Sequence, residues 1–147
     1  MLRPACASDA DALTGLMKES SAYSGVYAAL LDGYRITAQQ ITRDHFRVAE
    51  AEGRLLGFYS LALGNEPELD LLFVADAAQG LGIGRVLMLD LIEAARLKGF
   101  LAIKIVSHPP SLGFYLRQGA VQVGIKPASG RASWERPVLM LPISPAV

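Results

Sequence analysis

Six residues, Gln79-Gly80-Leu81-Gly82-Ile83-Gly84, carry the most specific chemistry in this chain. They stand between the apolar run Leu69 to Val74 and a helical pattern that begins near Ile83. A helix N-terminus presents amides without internal partners and the positive end of the helix dipole. Glycine lets the backbone turn tightly and lets a ligand approach it closely. The combination reads as a cradle for phosphate; the alternative is a glycine-rich turn with no ligand. Just upstream, Glu68 and Asp70 alternate onto one face of their strand. Two carboxylates so placed can accept a proton or simply edge a pocket.

Composition narrows the classes of function. The 147 residues suffice for one domain with a real core. An apolar fraction of 52% and a charged fraction of 19% describe a globular chain. Lys plus Arg number 14 and Asp plus Glu number 14, so the basic excess of a nucleic-acid binder is missing. No apolar run is long enough to cross a bilayer, and Met1 to Asp9 lacks the apolar core of a signal peptide. The single cysteine, Cys6, has no clustered Cys or His partners for a metal and reads as a packing residue. A cytoplasmic protein with neither nucleic-acid nor membrane partners is expected.

The elements that must position these residues follow from periodicity. Leu2 to Cys6 is a short candidate strand, and Ser8 is placed to cap a helix with Asp11 at its third position. Leu13, Leu16 and Met17 repeat at helical spacing. A second helical stretch sets Tyr23, Tyr27, Leu30, Leu31 and Tyr34 on one face, a spacing that signals burial. Thr37 opens a third, short helix, with Gln40 completing a capping box. From His45 the period becomes two. Turns at Glu52-Gly53 and Gly64 to Pro67 separate strands at Leu55 to Leu63 and Glu68 to Val74, an antiparallel meander.

After the glycines, Ile83, Leu87, Leu91 and Ala94 mark a helix that Gly99 ends. Leu101 to Val106 is the next strand, and His108-Pro109-Pro110 breaks the chain. Ser111 is placed to cap a short helix running to Arg117, which Gly119 ends. Val121, Val123 and Ile125 alternate as a strand. Lys126 to Arg136 is a polar loop, and Val138 to Leu141 is the last strand. No linker or repeat interrupts this order, so residues 1–147 are drawn as one domain. The unit from Glu68 to Val106 is strand, helix, strand, which requires parallel strands and puts phosphate beyond the carboxyl end of the first.

In this order the sequence resembles the GNAT superfamily of acyl-CoA-dependent N-acetyltransferases. The family's pyrophosphate motif, Gln/Arg-x-x-Gly-x-Gly/Ala, is matched by Gln79, Gly82 and Gly84 directly after Leu71-Leu72-Phe73-Val74. A second segment, Phe114-Tyr115-Leu116-Arg117-Gln118-Gly119-Ala120, is similar to the family's Phe-Tyr-x-x-x-Gly-Phe/Ala. The start, Arg3-Pro4-Ala5 followed by a helix, also resembles the family. The resemblance implies an α/β (α+β) GNAT fold: a mixed, mostly antiparallel sheet of about seven strands flanked by about four to five helices. Its central parallel strands, Glu68–Val74 and Leu101–Val106, would splay apart around the pantetheine arm of acetyl-CoA.

The resemblance also assigns roles. Leu72, Phe73 and Val74 would pair with pantetheine like an added strand, and an amide at their end would stabilise the thioester oxygen. Amides of Gly80, Leu81, Gly82, Ile83, Gly84 and Arg85 would receive the pyrophosphate, with the Arg85 side chain either adding a charged contact or lying in solvent. Tyr115 would protonate the leaving thiolate, since a phenol stays protonated at neutral pH. Glu68, through a water, would take the proton of the amine, with Asp70 second. One departure is plain: many relatives carry an asparagine before the second motif, where this chain has Pro110, so Ser107 or Ser111 would have to replace its contact. His108 reads as a surface-loop histidine or else as a base.

The acceptor would be a small, partly apolar primary amine, or a peptide, walled by Tyr23, Tyr27, Tyr34 and the Lys126–Arg136 loop. Arg131 either meets an acceptor carboxylate or is a loop charge. Expected, then, is acetyl transfer from acetyl-CoA by direct attack in a ternary complex, without metal, in a chain that can form a homodimer. The alternatives are a module that binds acyl-CoA as a sensor without transferring the acyl group, and a structural domain with a lapsed site.

Overall fold

The computed structural model describes residues 1–145, so Ala146 and Val147, the end of the domain drawn as 1–147, lie outside the described residues. Seven strands form one sheet: β1 (Leu2–Pro4), β2 (His45–Ala51), β3 (Arg54–Ala62), β4 (Glu68–Val74), β5 (Ala102–Val106), β6 (Val121–Lys126) and β7 (Arg136–Pro142). Four α-helices accompany them: α1 (Ala10–Glu19), α2 (Ala38–Arg43), α3 (Ile83–Leu97) and α4 (Leu112–Arg117), with short 3-10 turns between. The strand order is β1-β2-β3-β4-β5-β7-β6. Neighbours are antiparallel except β4 and β5, which are parallel, so the sheet is mixed and mostly antiparallel as expected. No described helix is long and apolar enough to cross a membrane.

Local chemistry explains most boundaries. Glu52 and Gly53 both take positive φ, 53° and 74°, the backbone a two-residue hairpin needs to join β2 to β3. In α3 the buried residues Leu87, Met88, Leu91 and Ala95 recur at spacings of three and four. That helix closes in a Schellman motif: Phe100 N–H donates to the Ala95 carbonyl and Gly99 N–H to that of Arg96, both at 3.0 Å. The same device closes α4, where Ala120 N–H reaches the Tyr115 carbonyl at 3.1 Å and Gly119 supplies the positive φ.

Two apolar cores cover the two faces of the sheet. One packs Leu87, Met88 and Leu91 of α3 against Tyr59, Leu69, Ile103, Ile105 and Leu139. The other packs Leu13 and Met17 of α1 and Ile41 of α2 against Phe46, Phe58, Leu71 and Phe73. Leu69 and Leu71 therefore face opposite cores although they stand two apart. The cause is a bulge: Ser60 pairs with Leu71 and Leu61 with Leu69, leaving Asp70 as the extra residue of β4. A polar clamp also fixes α3, with the Tyr59 hydroxyl donating to Asp90 at 2.6 Å and Arg47 pairing with the same carboxylate at 3.1 Å.

The backbone of α3 also comes close to β3 because Gly57 has no side chain. A Cβ there would stand 2.7 Å from the Phe73 carbonyl oxygen and 3.1 Å from Leu87 Cδ1. Gly57→Ala is expected to destabilise the fold by about 1–3 kcal/mol, the usual cost of overpacking, read as a lower urea midpoint at unchanged slope.

Three local expectations are corrected. Ser8 does not cap α1, because it lies inside the 3-10 turn Ala7–Asp9: the N-cap position is Asp9, whose carboxylate makes no cap bond to α1 but reaches back to accept the Cys6 N–H at 2.8 Å and hydrogen-bonds Arg3, which holds its pKa down to about 2. The stretch carrying Tyr23 to Leu31 is not an α-helix but two 3-10 turns, Ser21–Tyr23 and Gly25–Leu31. Extended Ser24 and left-handed Gly25 separate them, and Ser20 Oγ accepts the Ala22 N–H at 3.2 Å in place of a helical bond. Ser111 makes no side-chain cap on α4, because it already ends the 3-10 turn Pro109–Ser111 in helical backbone geometry. By contrast, Thr37 Oγ1 does cap α2, accepting the Gln40 N–H at 3.1 Å, while the Gln40 side chain turns away to donate to the Tyr34 hydroxyl.

Candidate active site

The parallel pair at the centre of the sheet opens almost at once. β4 and β5 are in register only at Glu68↔Lys104 and Leu69↔Ile105. Past that point the β4 edge from Asp70 to Val74 has no strand beside it on the β5 side. Backbone groups of an unpaired edge are available to any chain-like ligand laid along them. Gln79 Nε2 donates to the Val74 carbonyl at 3.1 Å, so its side chain ties the end of β4 to the glycine turn.

That turn ends in the α3 N-terminus. Gly80 and Gly82 take φ of 80° and 78°, and Gly82 is the N-cap. The first helical bond runs from Val86 N–H to the Gly82 carbonyl, so the amides of Ile83, Gly84 and Arg85 have no partner within the helix. They border a groove of about 520 Å³ that runs from Leu72 to the glycine turn, with Arg85 and Arg117 along it. Nothing lies within 4 Å of where a Gly82 Cβ would stand. Three free amides, a positive dipole end, two guanidinium groups and open space fit a diphosphate. Gly84 serves a different need: a Cβ there would come within 3.3 Å of the Phe114 ring, so this glycine seats α4 against α3. Leu81 is 68% exposed and turns away from the groove.

A second cavity, of about 350 Å³, opens along β4 next to the groove. Glu68 and Asp70 line it together with Tyr23 and Leu31 from the 3-10 stretch and Tyr34 just after it. The groove and the cavity share Ala22, Leu72, Phe73, Ser111 and Tyr115. Tyr115 is only 9% exposed and stands where they meet. The Schellman bond to its carbonyl and the edge-on Phe114 ring at 5.3 Å hold it there.

Burial sets the electrostatics. It pushes the Tyr115 phenol well above the ordinary tyrosine range and lifts Tyr23 to about 12. It also raises Glu68, against the opposing pull of Lys104, and raises Asp70, with Asp44 adding to the effect.

His108 is not a surface residue. Its side chain is 4% exposed and stacks on Tyr23 at 4.2 Å with an interplanar angle of 10°. Nε2 lies 3.0 Å from the Ala22 carbonyl. A carbonyl can only accept, so Nε2 carries the proton and Nδ1 keeps its lone pair. Burial lowers its pKa, so the ring is neutral at neutral pH. No local pattern in His108-Pro109-Pro110 announces this, because the burying rings come from a segment more than eighty residues earlier.

Two residues expected in the acceptor wall stand off it. Tyr27 packs edge-on against His108 at 5.5 Å and Trp134 at 4.8 Å, behind the cavity rather than on its wall. The Arg131 guanidinium lies over Gly33, 3.5 Å from where a Cβ would stand, also outside the cavity lining. The cations that do line the cavity are Lys126 and Arg136, the two ends of the loop expected in the acceptor wall, although the sequence pointed to Arg131 as that loop's charge. Arg117 in the groove was missed as well, although it sits inside the second motif.

The family model described as Acetyltransferase (GNAT) domain matches residues 21–128. Solved structures share the fold. A GCN5-related N-acetyltransferase of Rhodopseudomonas palustris superposes with a TM-score of 0.79 at 21% identity, covering 97% of this chain and 94% of that one. The PaiA N-acetyltransferase of Thermoplasma acidophilum, in complex with coenzyme A, gives 0.75 at 20% identity, with 97% and 98% covered. The ribosomal-protein-alanine N-acetyltransferase of Brucella melitensis gives 0.74 at 22% identity, with 95% and 97% covered. Among the curated proteins nothing matches. With a domain match over residues 21–128 and the fold to go with it, the chain belongs to the GNAT acetyltransferase family.

Proposed function

We propose that this protein transfers an acetyl group from acetyl-CoA to a primary amine, on a small molecule or a peptide, by direct attack in a ternary complex. The observation that carries the reading is the meeting of two cavities at Tyr115: a groove suited to a diphosphate and a pocket edged by carboxylates. When bound, acetyl-CoA supplies a thioester carbonyl carbon for the amine to attack and a sulfur that can leave. The amides of Ile83, Gly84 and Arg85, with the left-handed turn at Gly80 and Gly82, would hold the diphosphate, and Arg85 and Arg117 would add charge. The open edge at Leu72 to Val74 would hold the pantetheine arm, and Ser111, which lines the groove, would make the contact that an asparagine makes in many relatives. Glu68, or Asp70, takes a proton from the ammonium, and Tyr115 offers its proton to the sulfur.

A thiol-release assay with a panel of primary amines tests this directly. Amine-dependent release supports transfer; tight coenzyme A binding with no release for any amine favours the sensor module instead. A pH dependence follows from the raised carboxyls. A base must be ionised to work, so kcat/KM should fall as pH drops through a value above the ordinary carboxylate range. Glu68→Gln should abolish that limb if Glu68 is the base, and leave it if Asp70 is. The stability effect has the opposite sign. A folded-state pKa raised above the unfolded value contributes stability that is full below the ordinary value and lost as pH rises through the raised one. Glu68→Gln should therefore keep or gain thermal stability at neutral pH, measured in the same samples.

A further inference from the structure

We infer that the amine acceptor also bears a carboxylate, which Arg136 grips with Lys126 beside it. The inference rests on the acetyl-transfer reading and names its acceptor class: small molecules that carry both a primary amine and a carboxylate, amino acids among them.

The argument begins with the strands. Lys126 closes β6, Arg136 opens β7, and the two are cross-strand partners. Like charges directly opposite each other on an antiparallel pair repel. Both line the acceptor cavity. Among the described residues, neither has a carboxylate within ion-pair distance. Lys126 is near enough to Glu68 to favour its charged form without pairing with it.

Arg136 is the sharper signal. Its Nε is buried and has no hydrogen-bond partner among the described residues. Its Nη2 reaches only the Ser129 hydroxyl, at a long 3.4 Å. A buried donor on a permanently charged group is costly to leave unmade, and one in a native structure calls for a partner. The guanidinium fork matches the two oxygens of a carboxylate. The cavity therefore carries both charges, with acids on β4 for the ammonium and two cations at the two ends of the β6–β7 loop for the anion. Leu30, Leu31 and Tyr23 also line it and suit an apolar skeleton.

The test uses the full chain with acetyl-CoA and matched acceptors. Each of a set of α-amino acids with aliphatic, aromatic and polar side chains is compared with its carboxamide and its decarboxylated amine. The carboxylates should be used with kcat/KM at least about tenfold higher. Arg136→Gln should raise their KM by about tenfold or more, with kcat within about twofold, and leave the decarboxylated amines unchanged. Arg136→Lys should recover only part of the loss, because an ammonium lacks the fork. Lys126→Gln, at the exposed end of an edge strand, should move KM the same way by less and keeps the test open if Arg136→Gln does not fold. Equal use of all three acceptor types, with no effect of either variant on their ratio, would overturn the inference while transfer stands. If no amine is acetylated, the transfer reading fails, and calorimetry on the coenzyme A-loaded protein still decides this one. Binding of N-acetylated amino acids that Arg136→Gln or Lys126→Gln weakens supports the anion site; no binding refutes it.

Discussion

Tyr115→Phe is expected to lower kcat by about 10²–10³-fold, the range for losing one general acid, while coenzyme A affinity changes less than about threefold. The substitution keeps the ring and removes only the hydroxyl. The ring is what packs: it is buried among the first core and braced by Phe114. The residue stands where groove and cavity meet, and the hydroxyl is its one group with a proton to give. Burial keeps this phenol protonated far above neutral pH, so it always has a proton to offer. The same burial makes full transfer to a thiolate uphill, because a thiolate is the weaker base. The balance is restored by the second proton that the nitrogen sheds on becoming an amide, which refills Tyr115, while the first, taken by Glu68 or Asp70, passes to solvent. Tyr115 therefore acts at the moment the carbon–sulfur bond breaks, and its loss belongs in kcat. Stopped-flow thiol release and calorimetry on the same preparation separate the two effects. An equal loss in turnover and in coenzyme A affinity would assign Tyr115 to packing.

Gly82→Asp is expected to weaken coenzyme A binding by at least about 100-fold while the fold survives. At close range in a partly desolvated site, one added negative charge against a diphosphate is worth several kcal/mol. Space is not the obstacle, because nothing lies within 4 Å of a Cβ at this position. The left-handed backbone at φ 78° costs a non-glycine residue about 1–2 kcal/mol, and aspartate is among the residues that visit it most readily. For a chain of this size that is a loss of a few degrees in Tm, roughly 2–8 °C. Gly82→Ala separates the causes, since it carries the same backbone strain without the charge and should retain most of the affinity. Undiminished binding by Gly82→Asp in a calorimetric titration would remove the diphosphate from the α3 N-terminus. Gly84 is the wrong place for the experiment. A side chain there meets Phe114 and would move α4 and Tyr115 with it.

What the sequence determined by itself is the part written in local chemistry. Alternation at period two marks β2 from His45, periodicity of three and four marks α3, and Gly99 and Gly119 mark helix ends because only a left-handed residue closes a Schellman motif cheaply. The glycine turn at a strand-to-helix junction is equally local, and with the Phe114–Ala120 segment it sufficed to name a family. Tertiary structure alone decided whatever depends on strands and turns distant in the chain. The bulge at Asp70 arises from pairing with β3 and turns Leu69 and Leu71 to opposite cores. His108 looks like a loop residue until Tyr23 and the Ala22 carbonyl arrive to bury it. Arg131 and Arg136 are both loop arginines in sequence. The β6–β7 register sets Arg136 opposite Lys126 on the cavity wall and leaves Arg131 over Gly33. The physical reason is one of range: turn and helix preferences are settled among neighbours along the chain. Burial, register and the charge that a cavity leaves unpaired are settled only by residues that meet in space.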